Sequence, residues 1–138
     1  MQPVSIETDA RLADWIGENA GLHDVEVGRR LAGGNANVTR LVTAREGRFV
    51  LRHPPADTVS DKAAAGISRE FAAISALTDR APVARPVAFC SDLEVIGQPF
   101  SLTGFVDGVA ISDSLPDAYG EDAVERLGLS LMETLGAI

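Results

Sequence analysis

Cysteine and long apolar runs are what this chain of 138 residues most conspicuously lacks. The single cysteine, Cys90, excludes an internal disulfide, so a reducing, cytoplasmic setting is the expectation. No apolar segment approaches the roughly 20 residues that a membrane-spanning helix needs. The N-terminal residues form neither a basic region nor an apolar one, so we expect no secretory signal.

Basic residues are scarce. The chain has 12 lysines and arginines and 20 acidic residues, which gives a net charge of −8. A nucleic-acid-binding domain usually carries the opposite sign, and an anionic membrane surface would repel this chain. We therefore expect neither nucleic acid nor membrane as a partner. Hydrophobic residues make up 46% of the chain, which excludes disordered and fibrous proteins and favours one globular domain.

Apolar periodicity predicts the order helix, three strands, helix, two strands, helix. The predicted strands cover residues 25–31, 38–44, 48–52, 87–90 and 100–106. The predicted helices run from an N-cap at Asp9 to Gly21, from Ser60 or Asp61 to about Thr78, and through Val124 to Leu135. Between the second and third strands, Glu46-Gly47 is a good hairpin turn because glycine accepts positive φ.

A glycine-rich turn, residues 31–39, separates the first two predicted strands. Gly33 and Gly34 let backbone amides approach an anion closely, because no Cβ intervenes. Asn35, Asn37 and Thr39 can add side-chain donors to phosphate oxygens. For the loop alone, a plain hairpin turn is the commoner interpretation. The turn is neither a Walker loop nor a G-x-G-x-x-G fingerprint, and it precedes a strand, which disfavours a Rossmann-type oxidoreductase.

Arg52 and Glu70 are a second candidate constellation. Strand alternation puts Arg52 on the same face as Val50. If Phe49 and Leu51 on the other face point into a core, Arg52 shares its face with whatever the glycine turn covers. A fixed cation there suits a polyphosphate, and Glu70, beside the apolar stripe of the long helix, can pair with it. A solvated arginine and a solvated glutamate are the alternatives.

Charge is unevenly distributed along the chain. Residues 28–52 contain six arginines against one glutamate, whereas residues 107–138 contain seven acidic residues against one arginine. A positive strand region beside a glycine turn favours an anionic ligand. A basic strand surface without a ligand is the alternative.

Four short motifs follow one another along the chain. They are Gly33-Gly34-x-x-Asn37-x-Thr39, Val50-Leu51-Arg52-x-Pro54-Pro55, Arg69-Glu70-Phe71 and Phe105-Val106-Asp107-Gly108. In this order and spacing they resemble the N-terminal lobe of the aminoglycoside phosphotransferase and choline-kinase-like family. Within that family, the chain looks most similar to phosphotransferase domains related to those fused to acyl-CoA dehydrogenases. The resemblance covers residues 27–110.

The resemblance implies an α+β fold, the N-terminal lobe of the protein-kinase-like fold. It has an antiparallel five-stranded sheet, a long helix between strands 3 and 4, and helices before and after. The resemblance also implies that this lobe binds ATP with Mg²⁺. The residues implied in nucleotide binding are Gly33, Gly34, Asn35, Asn37, Thr39, Val50, Arg52, Glu70, Phe105 and Val106.

The family pattern implies a role for each of these residues. The glycine turn would cover the phosphates. Arg52 would stand where most kinases have a strand lysine, with Glu70 as its helix partner. Val50 would line the adenine pocket, and backbone groups near Phe105 and Val106 would face adenine. Two positions depart from the family: Ala36 replaces a frequent serine, and Gly104 replaces a frequent acidic residue.

The resemblance divides the chain into an N-terminal helix (1–24), a nucleotide-binding lobe (25–108), and a linker with a first helix (109–138) that leads to a C-terminal lobe. Family members carry a His-Gly-Asp catalytic loop and a metal-binding aspartate in that lobe. Neither His23 nor His53 is followed by Gly-Asp. We therefore expect no catalytic residue and no metal ligand in this stretch, and we expect the Mg²⁺ ligands and the acceptor pocket in the missing lobe.

The sequence thus predicts the ATP-binding lobe of a small-molecule kinase with a hydroxyl acceptor, truncated and inactive alone. The expected partners are a nucleotide, a small-molecule acceptor and the missing C-terminal lobe. The alternative is a non-catalytic kinase-like module for binding or interaction.

Overall fold

The structure, a computed structural model, describes residues 6–32, 36–56, 60–111 and 113–138. Its elements are α1 (Ile6–Ala20), β1 (Glu26–Arg30), β2 (Val38–Ala44), β3 (Gly47–His53), α2 (Asp61–Leu77), β4 (Pro86–Cys90), α3 (Leu93–Ile96), β5 (Phe100–Gly104) and α4 (Glu121–Ala137). The predicted order is confirmed. The one addition is α3, a short helix between the fourth and fifth strands.

The strands form one antiparallel sheet in the order β1-β2-β3-β5-β4. With the long α2 between β3 and β4, and with helices before and after the sheet, the predicted α+β fold class is confirmed. The β2–β3 turn is the predicted hairpin. Gly47 in this turn has a φ of 139°, a backbone angle that residues with a side chain rarely adopt. Glu46 in this turn accepts a hydrogen bond from the His23 backbone N–H and another from its ring, and these lower the pKa of Glu46 to about 2.

One face of the sheet packs against α1 and forms the hydrophobic core. Leu12 and Ile16 of α1 are almost completely buried. They join a cluster of sheet residues: Val42, Phe49, Leu51, Cys90, Phe100 and Leu102. Trp15 meets the ring of Phe100 edge-on, with centroids 4.9 Å apart. Fully burying one such aliphatic side chain stabilises the fold by about 1.5–3 kcal/mol, so α1 is an integral part of the lobe.

A partly buried ion pair also joins α1 to the sheet. Asp9 lies inside α1, which begins at Ile6 in the described residues, so the N-cap expected at Asp9 is wrong. Its two carboxylate oxygens accept hydrogen bonds from the guanidinium of Arg40 at 2.6 and 2.8 Å. Arg40 Nε also donates to the Gly28 carbonyl at 3.0 Å. One arginine on β2 therefore fixes α1 and β1 together in a bidentate geometry.

The opposite face of the sheet is covered only in part. α2 packs over β4 and β5, and its Phe71 stacks on Phe89 with ring centroids 5.7 Å apart. The helix begins after Ser60, whose hydroxyl accepts the Ala63 N–H at 3.2 Å, so Ser60 is the N-cap of the two candidates that the sequence offered. Among the described residues, no helix covers the β2 and β3 part of this face, where Leu41 and Val50 are half-exposed.

The helix α4 contributes no buried side chain. Its exposed large apolar residues are Val124, Leu127, Leu129, Leu131, Met132 and Leu135. Between α4 and the preceding linker lies an apolar cleft of about 340 Å³, lined by residues that include Val109, Ile111, Tyr119 and Leu127. In the part of the chain that the structure describes, no helix has the length and apolarity to traverse a bilayer.

Candidate functional site

Arg52 and Glu70 meet at the boundary between the covered and uncovered parts of the sheet. The Arg52 Nη1 atom donates to Glu70 Oε1 at 2.5 Å, and each side chain is 34% exposed. Arg52 stands opposite Thr39 on β2 and Ser101 on β5 in the strand ladder. The pairing that the sequence suggested is present, and it fixes a cation on the α2 side of the sheet.

The guanidinium of Arg52 has an unused donor. Its Nε atom is buried and has no hydrogen-bond partner among the described residues. A buried donor left without an acceptor typically costs about 1–3 kcal/mol. The Nε atom is shielded from solvent, so a ligand reaches only the third of the Arg52 side chain that is exposed.

The glycine-rich turn lies between β1, which ends one residue before the predicted Leu31, and β2, which begins at Val38 as predicted. The Leu31 N–H donates to the Thr39 carbonyl at 2.8 Å, which closes the loop between β1 and β2. Asn37 and Thr39 are half-buried at the β2 end of the loop. Gly33, Gly34 and Asn35 lie outside the described residues. Thr39, at the β2 end of the loop, is opposite Arg52 in the ladder.

The residues expected to read a nucleobase lie farther along the same face. Val50 is half-exposed and stands between Leu41 of β2 and Thr103 of β5. The Phe105 N–H donates to the Arg48 carbonyl at 3.1 Å, so this donor is not available to a ligand. Val106 is 67% exposed, and its backbone has no hydrogen-bond partner in the described ranges. Of the two expected base-facing residues, Val106 is therefore the one whose backbone N–H is unpaired within the described part of the chain.

The basic character of residues 28–52 is largely neutralised by carboxylates from elsewhere in the chain. Four arginines form ion pairs: Arg40 with Asp9, Arg45 with Asp24, Arg48 with Asp107, and Arg52 with Glu70. These residues therefore do not form the broad positive surface that the count of charges in the sequence suggests. Arg52 is itself paired with Glu70, and it lies opposite Thr39 at the β2 end of the glycine-rich turn.

Sequence reasoning missed the contact between Arg48 and Asp107, because it treated Arg48 only as a charge and Asp107 only as a charge and a member of the fourth motif. The Arg48 Nη2 atom donates to Asp107 Oδ2 at 2.6 Å, and its guanidinium lies 4.5 Å from the centroid of the Phe105 ring. The available signal was strand parity, because Arg48, Val50 and Arg52 alternate onto one face. Among the described residues, no group of three or more metal-ligating side chains is close enough to hold a metal ion.

Comparison with known proteins identifies the class to which this lobe belongs. The sequence profile of the phosphotransferase enzyme family matches residues 27–138, and the chain belongs to that family. Mouse acyl-CoA dehydrogenase family member 10 is 35% identical over 85 residues, which cover 60% of this chain and 8% of the mouse protein. The family resemblance seen in the sequence is therefore confirmed.

A solved structure supports the same assignment. The crystal structure of a protein assigned as an aminoglycoside phosphotransferase from Ralstonia eutropha JMP134 superposes with a TM-score of 0.61 and 27% identity. The superposition covers 78% of this chain and 31% of the Ralstonia chain. The chain thus spans less than a third of the length of each of these two relatives.

Proposed function

We propose that this chain is the ATP-binding lobe of a phosphotransferase that moves the γ-phosphoryl group of ATP to a hydroxyl group of a small molecule. The observation that carries the proposal is the Arg52–Glu70 pair. It holds a partly exposed arginine opposite Thr39, at the β2 end of the glycine-rich turn. Membership of the phosphotransferase enzyme family supplies the reaction class.

Each predicted site residue has a place in this proposal. The phosphates lie beneath the turn formed by Gly33, Gly34, Asn35, Asn37 and Thr39, and they face Arg52. The carboxylate of Glu70 accepts a charge-assisted hydrogen bond from the guanidinium, and this contact fixes the orientation of the Arg52 side chain. Adenine lies on Val50, and the free backbone groups of Val106 face its edge. Mg²⁺, when bound with the nucleotide, neutralises charge that develops on the phosphates.

The lobe positions the nucleotide, and the remaining chemistry belongs to groups outside these 138 residues. Phosphoryl transfer depends chiefly on positioning and electrostatic stabilisation. A base that accepts the hydroxyl proton, the ligands of Mg²⁺ and the acceptor pocket are expected in a C-terminal lobe. The acceptor-binding partner is therefore a small molecule with a hydroxyl group, held by that lobe.

Binding of Mg-ATP tests the proposal, with Arg52→Ala and Arg69→Ala as matched variants. Arg69 is adjacent to Glu70 on α2, but its Nε donates only to the Ala65 carbonyl of its own helix. At a free concentration of about ten times its Kd, a ligand that binds only the folded chain adds about 1.4 kcal/mol to the free energy of unfolding and raises Tm by about 5 °C. We expect Arg52→Ala to weaken binding by at least about tenfold, since a charge-assisted contact is lost.

The Arg69→Ala variant is expected to keep the wild-type Kd, measured by NMR titration as well as by thermal shift. An Arg52→Ala variant that binds Mg-ATP as well as the wild type contradicts the proposed site. Equal losses in both variants point to a general charge effect and contradict it as well.

A non-catalytic interaction module is the second candidate, and the exposed apolar residues of α4 favour it. In that case the kinase-like lobe acts as a scaffold, and α4 pairs with another chain. The same titration separates the two candidates. A folded wild-type chain that gains no stability at millimolar Mg-ATP supports the module.

A further inference from the structure

Arg48 contacts the segment 105–107 in three ways. Its backbone carbonyl accepts the N–H of Phe105 at 3.1 Å. Its guanidinium lies 4.5 Å from the centroid of the Phe105 ring, and it donates to the carboxylate of Asp107 at 2.6 Å. The contacts hold the residues on either side of Val106, and they leave the Val106 backbone without a partner among the described residues.

The position of this segment explains why such contacts matter. Residues 105–107 directly follow β5, and Val106 is 67% exposed. A backbone N–H that reads the edge of a base must stay within hydrogen-bond distance and angle, so a loose segment would first have to be ordered by the ligand. A segment fixed beforehand avoids that loss of entropy.

From this geometry we propose that Arg48 is a positioning residue for base recognition, an inference that rests on the proposed ATP-binding function. Arg48 holds segment 105–107 against the start of β3, so that the free backbone groups of Val106 face the adenine edge. It does not touch the phosphates, which bind four residues farther along β3, about 13 Å away at the Arg52 end. Arg48 thus contributes to affinity for the base and not for the triphosphate.

The chain offers a matched control for this proposal. Arg45 also forms an exposed pair with an aspartate, donating to Asp24 at 2.8 Å, and it lies at the far side of the β2–β3 turn. Side-chain exposures are comparable, at 67% for Arg45 and 50% for Arg48. Arg45→Ala removes the same charge and an equivalent pair, but it leaves segment 105–107 intact.

The test compares Mg-ATP with Mg-bound inorganic tripolyphosphate, which lacks the base. Both are titrated by NMR into the wild type, Arg48→Ala, Asp107→Asn and Arg45→Ala. We expect Arg48→Ala to weaken Mg-ATP binding by about three- to tenfold, the effect of losing one exposed ion pair and one cation–π contact. Tripolyphosphate binding should not change, and Arg45→Ala should bind both ligands like the wild type.

Asp107→Asn and the conservative Arg48→Lys give two further readouts. Asp107→Asn should weaken Mg-ATP less than Arg48→Ala, and the double variant should lose less than the two single losses combined, because both act through one contact. Arg48→Lys keeps the charge near Asp107 and should restore part of the affinity. Since these changes are mild, they keep the test decisive even if Arg48→Ala does not fold.

The outcomes separate this inference from the function on which it rests. A wild type that binds Mg-ATP while Arg48→Ala binds it equally well overturns the inference alone. Equal weakening of Mg-ATP and tripolyphosphate in Arg48→Ala shows a general charge or stability effect and also overturns it. A folded wild type that binds neither ligand overturns the proposed function, and the inference with it.

Discussion

The arginines of the strand region differ in how deeply they are buried, and this decides what each pair contributes. The Arg40 side chain is 11% exposed and its partner Asp9 29%, whereas Arg45 and Asp24 are 67% and 73% exposed. Exposed pairs contribute between about 0 and 1 kcal/mol, because water screens them and both side chains lose freedom. Arg45 and Asp24 therefore add little stability, while breaking the pair between Arg40 and Asp9 leaves a charge with poor access to water.

His53 gives the first prediction at this scale. It is buried at the end of β3, and burial lowers its pKa from the usual 6.5, with smaller contributions in the same direction from Arg40 and Arg30. The hydrogen bond from its ring to the Pro54 carbonyl opposes the shift only in part. Below about pH 6.5 the unfolded chain thus binds more protons than the folded one, and stability is lost as the pH falls through the lowered pKa.

We expect His53→Leu and His53→Asn to reduce this pH dependence. The measurement is the free energy of unfolding in urea at about pH 7.5 and at about pH 5.5. At the lower pH, the unfolding of the wild type is accompanied by protonation of His53. The wild type should lose more stability between the two pH values than either variant. An unchanged pH dependence in both variants would show that His53 is not the group responsible.

At the scale of the elements, the attachment of α1 is the feature most open to test. Arg40→Ala removes the bidentate contact to Asp9 and the hydrogen bond to the Gly28 carbonyl. We expect a loss of about 2 kcal/mol in unfolding free energy, between the values typical of exposed and fully buried pairs. Arg45→Ala should change it by less than about 0.5 kcal/mol. Similar losses in the two variants would contradict the assignment of Arg40 as the anchor.

Regular elements could be predicted because their signals are local. Alternation and the Glu46-Gly47 turn gave β2 its observed bounds, Val38–Ala44, and the Ser60 cap gave the start of α2. The helix α3 was missed because its four residues are too short for a period. Its caps were the only local signal: Asp92 accepts the Glu94 N–H, and Gly97 has a φ of 79°.

Ion pairs could not be predicted in the same way, because they join distant parts of the chain. Arg40 and Asp9 are 31 residues apart, and Arg48 and Asp107 are 59 apart. Which carboxylate meets which arginine depends on how the elements pack. Arg52 and Glu70 are the exception, since strand parity placed Arg52 on the face opposite the core and helix phase placed Glu70 beside the apolar stripe of α2, where the two can pair. The binding roles of the site residues stay predictions.

At the scale of the whole molecule, the prediction concerns turnover. We expect the 138-residue chain to show no acceptor-dependent phosphoryl transfer, because neither histidine is followed by the Gly-Asp of the family's catalytic loop. Release of ADP from Mg-ATP, with and without aminoglycoside or amino-alcohol acceptors, measures this. Inclusion of an intact family phosphotransferase checks the assay. Acceptor-dependent ADP release by the purified chain would contradict the expectation.

The packing of α1 also bears on where this domain is taken to begin. The family profile matches from residue 27, yet Leu12 and Ile16 fill the centre of the core and Asp9 is bound by Arg40. A recombinant segment that starts at residue 27 would lack α1, and the apolar face of the sheet that α1 covers would then be exposed to water. Such a polypeptide is expected to aggregate. Its failure in a binding assay would reflect where the segment was cut and would say nothing about the binding site.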